Sequence, residues 1–252
     1  PDQYLIELLV LVDALKRASA KSITAVIPYY GYCRQDRKDK PRVPITAKLV
    51  ANLLETAGVT HVLTMDLHAG QLQGFFNIPV DHLSGRPPLV EALKKSRKSR
   101  DDQLVVVAPD VGSTVLAKHY AKDLGADFAL VNKCRLSAED VEIVALIGNV
   151  KGKDVLLADD MCTTGATLLS AAKACQEKGA KTIKAAITHR VFVRDAIQKI
   201  EDSSIEALLV TNTIAHDGAT ASHKIQVVSV ASLLAKAIQR ILSQESILPL
   251  YE

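Results

Sequence analysis

Helix-like and strand-like segments alternate along almost the whole chain, and this alternation constrains the fold more than any other feature. Short apolar runs such as "ITAVIP" (23–28) and "LVVVAPD" (104–110) indicate buried strands. Amphipathic stretches between such runs indicate helices, as in "TAKLVANLLETAG" (46–58), which Gly58 ends. Strands that alternate with helices form parallel sheets with helices on both faces. The sequence therefore predicts an α/β fold with mainly parallel sheets.

The turn "GRPP" (85–88) marks the best domain boundary, because few strands are predicted before it and enough for a complete sheet after it. We therefore predict an N-terminal domain over residues 1–84 and a C-terminal domain over residues 85–252. The C-terminal helix is a candidate to pack back on the first domain. The predicted strands are 23–28, 61–67, 104–110, 127–131, 143–148, 155–159, 182–188, 207–212 and 224–230, and the predicted helices are 3–18, 46–58, 114–124 and 168–175, with others from Leu89 and Leu233.

Charge balance and cysteine spacing narrow the functional class. The 31 basic and 28 acidic residues leave a net charge of +3, too small to indicate nucleic-acid or membrane binding through bulk electrostatics. The most apolar early stretch, "YLIELLVLVDAL", is interrupted by Glu7 and Asp13 and is too short to span a bilayer. The cysteines are widely spaced without a CxxC pair, which favours free thiols and a cytoplasmic protein.

The segment "DVLLADDMCTTGAT" (154–167) places polar residues where a predicted strand turns into a helix, the usual ligand position in open α/β sheets. Backbone N–H groups at the helix start and the hydroxyls of Thr163, Thr164 and Thr167 suit a phosphate monoester. Asp159 and Asp160 would repel a bare polyphosphate but suit sugar hydroxyls or a magnesium ion. A phosphorylated sugar satisfies both requirements. The alternative interpretation is that the two aspartates only cap the following helix.

Other strand ends also carry polar residues. "RQDRKDK" (34–40) mixes cations with carboxylates and suits a triphosphate, although such runs are common on solvated surfaces. "MDLH" offers Asp66 and His68 to a magnesium ion or to phosphates. In "VVVAPDVGS" the predicted strand ends at Asp110. Gly112 lies in the turn that follows and lets backbone amides approach a ligand. "VNKCRLSAEDVE" (131–142) is poorly patterned, which is typical of a mobile flap.

The 159–167 loop resembles the 5-phosphoribosyl 1-pyrophosphate signature shared by phosphoribosyltransferases and ribose-phosphate pyrophosphokinases. Two longer segments, "YYGYCRQDRKDKPRVPITAKLVANLLETAG" and "TMDLHAGQLQGFFNIPVDHL", resemble only the pyrophosphokinases. The resemblance runs from Tyr4 to the C-terminal helix and implies two phosphoribosyltransferase-like domains, the first incomplete at its N-terminus. The family's opening strand, helix and hairpin lie upstream of Pro1, so we expect the chain as given to be inactive or nearly so.

The resemblance also implies a role for each candidate residue. Lys133 and Arg135 are the implied catalytic pair, two cations that a flap brings over the phosphates during phosphoryl transfer. The implied ligands of ATP are Arg34, Gln35, Asp39 and His68, those of magnesium are Asp66, His68, Asp81 and Asp110, and those of ribose 5-phosphate are Asp110, Asp159, Asp160, Thr163, Thr164, Gly165, Ala166 and Thr167.

The chain departs from the family pattern at four positions. Asn77 replaces a metal-associated carboxylate, and Ser113 stands where a second glycine is usual. Thr163 replaces an aspartate expected to contact the ribose hydroxyls, and Ala166 replaces a glycine. These departures predict a weaker second cation site and a weaker grip on the sugar.

We therefore hypothesise an enzyme of nucleotide biosynthesis that transfers the diphosphoryl group of ATP to ribose 5-phosphate, with Mg²⁺ as cofactor. The products are 5-phosphoribosyl 1-pyrophosphate and AMP. The resemblance further implies homo-oligomers, dimers assembled into a hexamer, with an allosteric phosphate or nucleotide site at subunit contacts. Two alternatives remain: a phosphoribosyltransferase, which would consume that product, and a non-catalytic homologue that regulates a true synthetase.

Overall fold

The computed structural model describes residues 2–96, 103–134, 143–215 and 222–251, with only the backbone of residues 133, 134, 143 and 144. The chain divides into two compact units. The first runs to Ser84 and includes Tyr251, and the second runs from Gly85 to Leu250. No helix in the described ranges is long and apolar enough to cross a membrane.

The first unit contains a parallel three-stranded sheet in the order β1-β2-β3. Register pairs Val26 of β1 with Leu63 of β2, and Leu63 with Asp81 of β3. Gly58 ends the second helix with a φ of +125°, a backbone conformation that favours glycine. The elements are α1 (Asp2–Arg17), β1 (Thr24–Ile27), α2 (Thr46–Ala57), β2 (His61–Met65), a 3₁₀ helix (Gly70–Phe75) and β3 (Val80–Leu83).

The second unit contains a seven-stranded sheet in the order β10-β9-β8-β7-β4-β5-β6. All neighbouring strands are parallel except β5 and β6, which form an antiparallel pair. The elements are α3 (Arg86–Ser96), β4 (Leu104–Ala108), α4 (Thr114–Leu124), β5 (Asp127–Cys134), β6 (Ile143–Ile147), β7 (Asp154–Cys162), α5 (Ala166–Glu177), β8 (Thr182–Arg190), α6 (Ala196–Glu201), β9 (Ala207–Thr211), β10 (Ile225–Val228), α7 (Ala231–Leu242) and a 3₁₀ turn (Leu248–Leu250).

The core of the second unit lies on both faces of this sheet, because alternate residues of the buried strands point to opposite sides. On one face Leu157 of β7 packs with Leu168 of α5 and Ile200 of α6. On the other face Leu156 packs with Leu89 of α3 and Tyr120 of α4. The predicted α/β fold with mainly parallel sheets is confirmed.

Several elements differ from the sequence-based expectation. β3 and α6 were not predicted, since each is too short to show a clear period. α3 begins at Arg86, before the predicted start at Leu89, because prolines are tolerated in the first turn of a helix. β7 runs on to Cys162, three residues beyond its predicted end at Asp159, so Asp160 lies inside the strand and not in a turn after it.

Gly148 follows the last residue of β6 in a conformation that a side chain would disturb. Its φ is +118°, and a Cβ added there would lie 2.6 Å from Ala129 Cβ and 3.3 Å from the Phe128 carbonyl oxygen. Gly152 also has a positive φ, of +70°, but a Cβ there meets nothing within 4 Å in the described part of the chain. A substitution at Gly152 therefore reports the strain of a positive φ alone, whereas one at Gly148 adds steric overlap to strain.

We expect Gly148→Ala to lower the free energy of unfolding by about 2–4 kcal/mol, because strain and overpacking each cost about 1–3 kcal/mol. Gly152→Ala is the matched control and should cost only about 1 kcal/mol, the strain alone. Chemical denaturation of both variants measures the difference. Equal losses would show that the contact with Ala129 is relieved at no cost.

Candidate functional site

The candidate residues of the second unit gather at the carboxyl edge of its sheet. β4, β7 and β8 are adjacent and parallel, so the residues that follow them meet at the same edge. β4 leads to Asp110, β7 ends in the segment with Asp159 and Asp160, and β8 ends at Arg190. The fold thus brings the Asp110 turn next to the loop at 163–167, although the two are far apart in the sequence.

Asp159 and Asp160 are partly buried at the end of β7. The Asp160 N–H donates to Asp159 Oδ1 (3.0 Å), and the Met161 N–H donates to Asp160 Oδ1 (2.9 Å). Burial, followed by repulsion from the Asp160 and Asp110 carboxylates, raises the pKa of Asp159 to about 8. The protein's own groups therefore favour a neutral Asp159 at pH 7. A bound cation or a hydrogen-bond donor would favour its charged form.

A tight turn at 163–165 connects β7 to α5. Gly165 precedes the helix with a φ of +80°, and its N–H bonds to the buried thiol of Cys162, whose pKa burial raises to about 12. The Val193 N–H donates to the Thr163 carbonyl (3.2 Å), which fixes the turn against the segment after β8. At the helix start, the Ala166 N–H makes a long bond of 3.4 Å to Thr164 Oγ1. The turn therefore directs the first backbone amides of α5 towards the sheet edge, where a phosphate could accept from them.

The described hydrogen bonds of the two aspartates do not support the alternative interpretation, in which they only cap α5. The N-cap residue of α5 is Gly165, and the side-chain oxygen that accepts from the Ala166 N–H belongs to Thr164. The hydrogen bonds of Asp159 and Asp160 described above lie within the strand end. Capping is therefore no explanation for two adjacent carboxylates at this position.

Ser113 holds the Asp110 carboxylate at the end of β4. Its N–H donates to Asp110 Oδ1 (3.1 Å), and its hydroxyl lies 3.0 Å from the Asp110 carbonyl oxygen and 3.3 Å from Oδ1. A glycine, the usual residue here, would keep the first bond and lose those of the hydroxyl. This departure from the family pattern therefore adds an anchor for Asp110.

The carboxylates at this edge suit a magnesium ion only if a bound substrate supplies further oxygen ligands. In the described ranges, no group of three or more His, Cys, Asp or Glu side chains could hold a metal ion. Mg²⁺ usually takes one or two carboxylates and completes its shell with water and substrate oxygens. Asp159 and Asp110 repel each other when both are charged, and a cation beside them would relieve this repulsion. The donor set therefore fits a magnesium ion that arrives with a phosphorylated ligand.

A buried hydrogen-bond network beside this edge was not predicted from the sequence. Thr211 Oγ1 donates to the Thr188 carbonyl (2.6 Å), and His189 Nδ1 lies 2.9 Å from Thr213 Oγ1. Thr188, His189 and Thr211 are all buried. The network ties the end of β8 to the end of β9. The signal was present in the sequence, since polar residues follow the apolar runs of both strands.

Arg190 adds a cation to the same edge. It pairs in register with Cys162, the residue before Thr163. Both Nε and Nη2 lie 3.4 Å from the Ile214 carbonyl oxygen, and burial lowers the pKa of the guanidinium. No sequence pattern pointed to this arginine, because it lies outside every predicted motif.

The charged loop of the first unit, residues 34–40, is mostly exposed. The Gln35 N–H donates to the Tyr32 carbonyl (2.8 Å), and the Gln35 carbonyl accepts from the Ala47 N–H (3.1 Å). Within the described residues, the side chains of Arg34, Gln35 and Asp39 make no hydrogen bond or ion pair. An exposed, unpaired loop suits a polyphosphate, and it suits a solvated surface equally. The assignment to ATP therefore stays a prediction.

Asp66 and His68 occupy one turn at the end of β2, but Asp81 does not join them. Register places Asp81 beside Leu63, well before Asp66 along the strand. Asp81 Oδ2 lies 2.8 Å from His61 Nε2, and both side chains are about three-quarters buried. No described group of three ligating side chains includes these residues. The proposed magnesium ligands Asp66, His68 and Asp81 thus do not form one preassembled centre.

Asn77 is held by a residue of α2. Its backbone N–H donates to Glu55 Oε1 (2.8 Å), and its side-chain Nδ2 donates to Glu55 Oε2 (3.0 Å). An aspartate at this position would place a second carboxylate against Glu55. The asparagine therefore replaces a pair of carboxylates, which would need a cation between them, with a direct amide–carboxylate contact.

Lys133 lies near the end of β5, where its backbone pairs with Val144 of β6. The strand was expected to end before it, at Val131, and instead reaches Cys134. Arg135 and the rest of the predicted flap to residue 142 lie outside the described residues. The catalytic role of Lys133 and Arg135 stays a prediction.

Asp159→Asn should stabilise the protein at neutral and alkaline pH. An acid whose pKa is raised on folding loses stability as pH rises from its ordinary value, near 3.8, through about 8. The loss is at most about 1.4 kcal/mol per pH unit. Asparagine cannot ionise, so the gain in Tm should be large at pH 8 and small at pH 5, without divalent cations. The exposed Asp202→Asn should show no such trend, and a variant less stable than wild type at pH 8 contradicts the assignment.

Asn77→Asp should destabilise the protein, although it restores the residue usual in the family. The new carboxylate would face Glu55 in place of an amide donor. We expect Tm to fall by about 2–4 °C at pH 7.5 without divalent cations, roughly 1 kcal/mol for a chain of this size. Magnesium should recover most of the loss. Asn77→Ala serves as control: it removes the amide without adding charge, and magnesium should not rescue it.

Two segments of the chain match known domain families. Residues 1–58 match the N-terminal domain of ribose phosphate pyrophosphokinase, and residues 135–252 match the phosphoribosyl synthetase-associated domain.

Curated relatives and a solved structure match over nearly the whole chain. The ribose-phosphate pyrophosphokinase of Chlorobaculum tepidum is 49% identical over 252 residues, 100% of this chain and 77% of the relative. Ribose-phosphate pyrophosphokinase A of Dictyostelium discoideum is 48% identical, over 98% of this chain and 77% of the relative. The crystal structure of phosphoribosylpyrophosphate synthetase from Mycobacterium smegmatis aligns with a TM-score of 0.89 at 39% identity, over 96% of this chain and 79% of that one. The resemblance read from the sequence is confirmed: the chain belongs to the ribose-phosphate pyrophosphokinase family.

Proposed function

We propose that the protein transfers the diphosphoryl group of ATP to ribose 5-phosphate and releases AMP. The observation that carries the proposal is the sheet edge formed by Asp110, Asp159, Asp160 and the turn before α5. Carboxylates and the first backbone amides of α5 lie at the same edge there, and a phosphorylated sugar would use both. The names of the relatives, pyrophosphokinases of ribose phosphate, support the same reaction.

The second unit would bind ribose 5-phosphate. The phosphate would accept hydrogen bonds from the backbone of residues 163–167, with the hydroxyls of Thr163, Thr164 and Thr167 around it. Asp159 and Asp160 would accept from the ribose hydroxyls. Asp110, anchored by Ser113, would lie on the side where the new pyrophosphate forms.

The first unit would supply the contacts to ATP. The exposed cations and carboxylates of the 34–40 loop suit a triphosphate, and Arg34, Gln35 and Asp39 would make the specific contacts. Asp66 and His68 would reach the phosphates or their metal ion from the turn after β2.

The reaction requires the anomeric hydroxyl to attack the β-phosphorus in line while AMP leaves. Little covalent chemistry falls to the protein, so positioning and charge neutralisation supply most of the rate. Lys133 and Arg135 would stabilise the charge that develops on the transferring phosphoryl oxygens. Magnesium, held by Asp110 with substrate oxygens and, in the first unit, by Asp66 and His68 with substrate oxygens, would neutralise the phosphates of the bound substrates.

An oligomer and a cytoplasmic location complete the proposal. Tyr4, Ile6, Val10 and Leu11 of α1 are each more than half exposed, an apolar patch that suits burial against another protein surface. The family resemblance gives dimers assembled into a hexamer, which light scattering of the full-length protein would test. The cysteines described as free thiols, Cys33, Cys162 and Cys175, fit a reducing compartment.

Phosphorus NMR of the full-length protein with ATP, ribose 5-phosphate and magnesium tests the reaction. Equal amounts of AMP and 5-phosphoribosyl 1-pyrophosphate are expected. A phosphoribosyltransferase would form neither, but would release pyrophosphate from added 5-phosphoribosyl 1-pyrophosphate and a base. A regulatory homologue would form neither and would change the rate of an active synthetase mixed with it. Either of these results overturns the proposal.

Lys133→Ala in the full-length protein should lower turnover by about a hundredfold or more, the usual effect of removing one electrostatic donor to a transition state. The KM values for both substrates should change much less. Lys151→Ala, which removes an exposed lysine of the same unit, is the control and should leave turnover unchanged. Near-normal turnover of Lys133→Ala would remove the flap from the mechanism.

A further inference from the structure

The turn that carries Asp66 and His68 is strained and is held in place by β3. Asp66 has a φ of +35°, a conformation that costs a residue other than glycine free energy and persists only where the surroundings enforce it. The Asp66 N–H donates to the Leu83 carbonyl of β3 (3.0 Å). This bond fixes the first residue of the turn.

The second fixing bond comes from a side chain of β3. The Leu67 N–H donates to His82 Nε2 at 2.8 Å. A backbone amide can only donate, so Nε2 is the acceptor and the ring proton lies on Nδ1. Leu67 is 7% exposed, so without His82 its N–H would lack both this partner and ready access to water. The imidazole thus takes the place of a backbone carbonyl just beyond the β2–β3 pairing.

The two neighbours of His82 in β3, Asp81 and Leu83, make different contacts. On one side Asp81 pairs with His61, and on the other Leu83 belongs to the buried core of the first unit. Leu67, the residue that His82 holds, separates Asp66 from His68. A shift at Leu67 would therefore move both candidate ligands of the nucleotide together.

We infer that His82 is a positioning residue for ATP. Its Nε2 sets the backbone of the Asp66–His68 turn and hence the direction of both side chains, without contact to the nucleotide. The inference rests on the proposed function, because it takes Asp66 and His68 as residues that contact ATP or its metal ion. A hydrogen-bond acceptor is required at this point of β3, while an imidazole as such is not.

The test compares three variants of the full-length protein. His82→Ala removes the acceptor, and His82→Gln places an amide oxygen near the position of Nε2. Thr60→Val is the matched control: it removes the two hydrogen bonds between Thr60 Oγ1 and the backbone of Ile23 at the opposite end of the same sheet. Tm measures the structural cost of each change. Calorimetry with ATP and magnesium chloride, without ribose 5-phosphate, measures ATP binding.

We expect His82→Ala to weaken ATP binding about tenfold and His82→Gln to restore it to within about threefold of wild type, a factor of ten being the loss of one good hydrogen bond. Thr60→Val should lower Tm and leave the Kd for ATP unchanged. In steady state, the KM for ATP should rise in His82→Ala while that for ribose 5-phosphate stays constant. An alanine variant that loses Tm but binds ATP normally would overturn the inference, as would equal losses of affinity in the alanine and glutamine variants.

His68→Ala separates this inference from the proposed function. If wild type binds ATP and His68→Ala lowers the affinity for ATP, the turn contacts ATP. The His82 variants alone then decide the inference. If His68→Ala and Asp66→Ala both bind ATP as wild type does, the assignment of the turn to ATP fails, and the inference falls with it.

Discussion

The negative charge gathered at the carboxyl edge of the second unit's sheet is the constraint on which the site depends. Parallel pairing of β4 with β7 brings Asp110 and Asp159 to the same edge, since Asp110 follows β4 and Asp159 lies in the last part of β7. Burial and mutual repulsion then raise the pKa of Asp159. A core without ligands would be more stable with apolar residues here. The carboxylates are therefore explained by a partner that brings cations and hydroxyl donors.

Two departures from the family pattern are explained by hydrogen bonds that the new side chains make with neighbouring residues. Ser113 uses its hydroxyl to hold the Asp110 carboxylate, a contact that glycine cannot make. Asn77 donates to Glu55 through both its backbone and its side chain, which removes a repulsion that an aspartate would create. Nothing in the structure explains Thr163 or Ala166 in the same way. The departures at Ser113 and Asn77 are thus local adjustments that leave the sheet edge intact, and they do not favour a protein that has lost its function.

The alternation of apolar runs and amphipathic stretches was enough to predict the α/β class and most strands, because both signals are local. It failed where a decision depended on tertiary contacts. β7 continues through Asp159 and Asp160 because β8 pairs with it as far as Arg190, which no local pattern reveals. β3 was missed because its four residues are too few to show a period. The hydrogen bond between the Leu67 N–H and His82 was missed with it. Asp81 was grouped with Asp66 by resemblance, whereas register places it beside Leu63.

Each unit keeps candidate binding residues in an unfavourable state, and the physical cause of that state differs between the two units. In the second unit, a buried acid is crowded by other carboxylates, so its charge is unfavourable until a ligand arrives. In the first unit, a residue other than glycine is forced to a positive φ, and β3 enforces the conformation through one carbonyl and one imidazole. Both features lower the stability of the protein alone, and under the proposed function both would hold side chains ready for the substrate, so that less ordering remains to be done on binding. Both groups lie at strand ends, where the rigid sheet behind them can hold them in place.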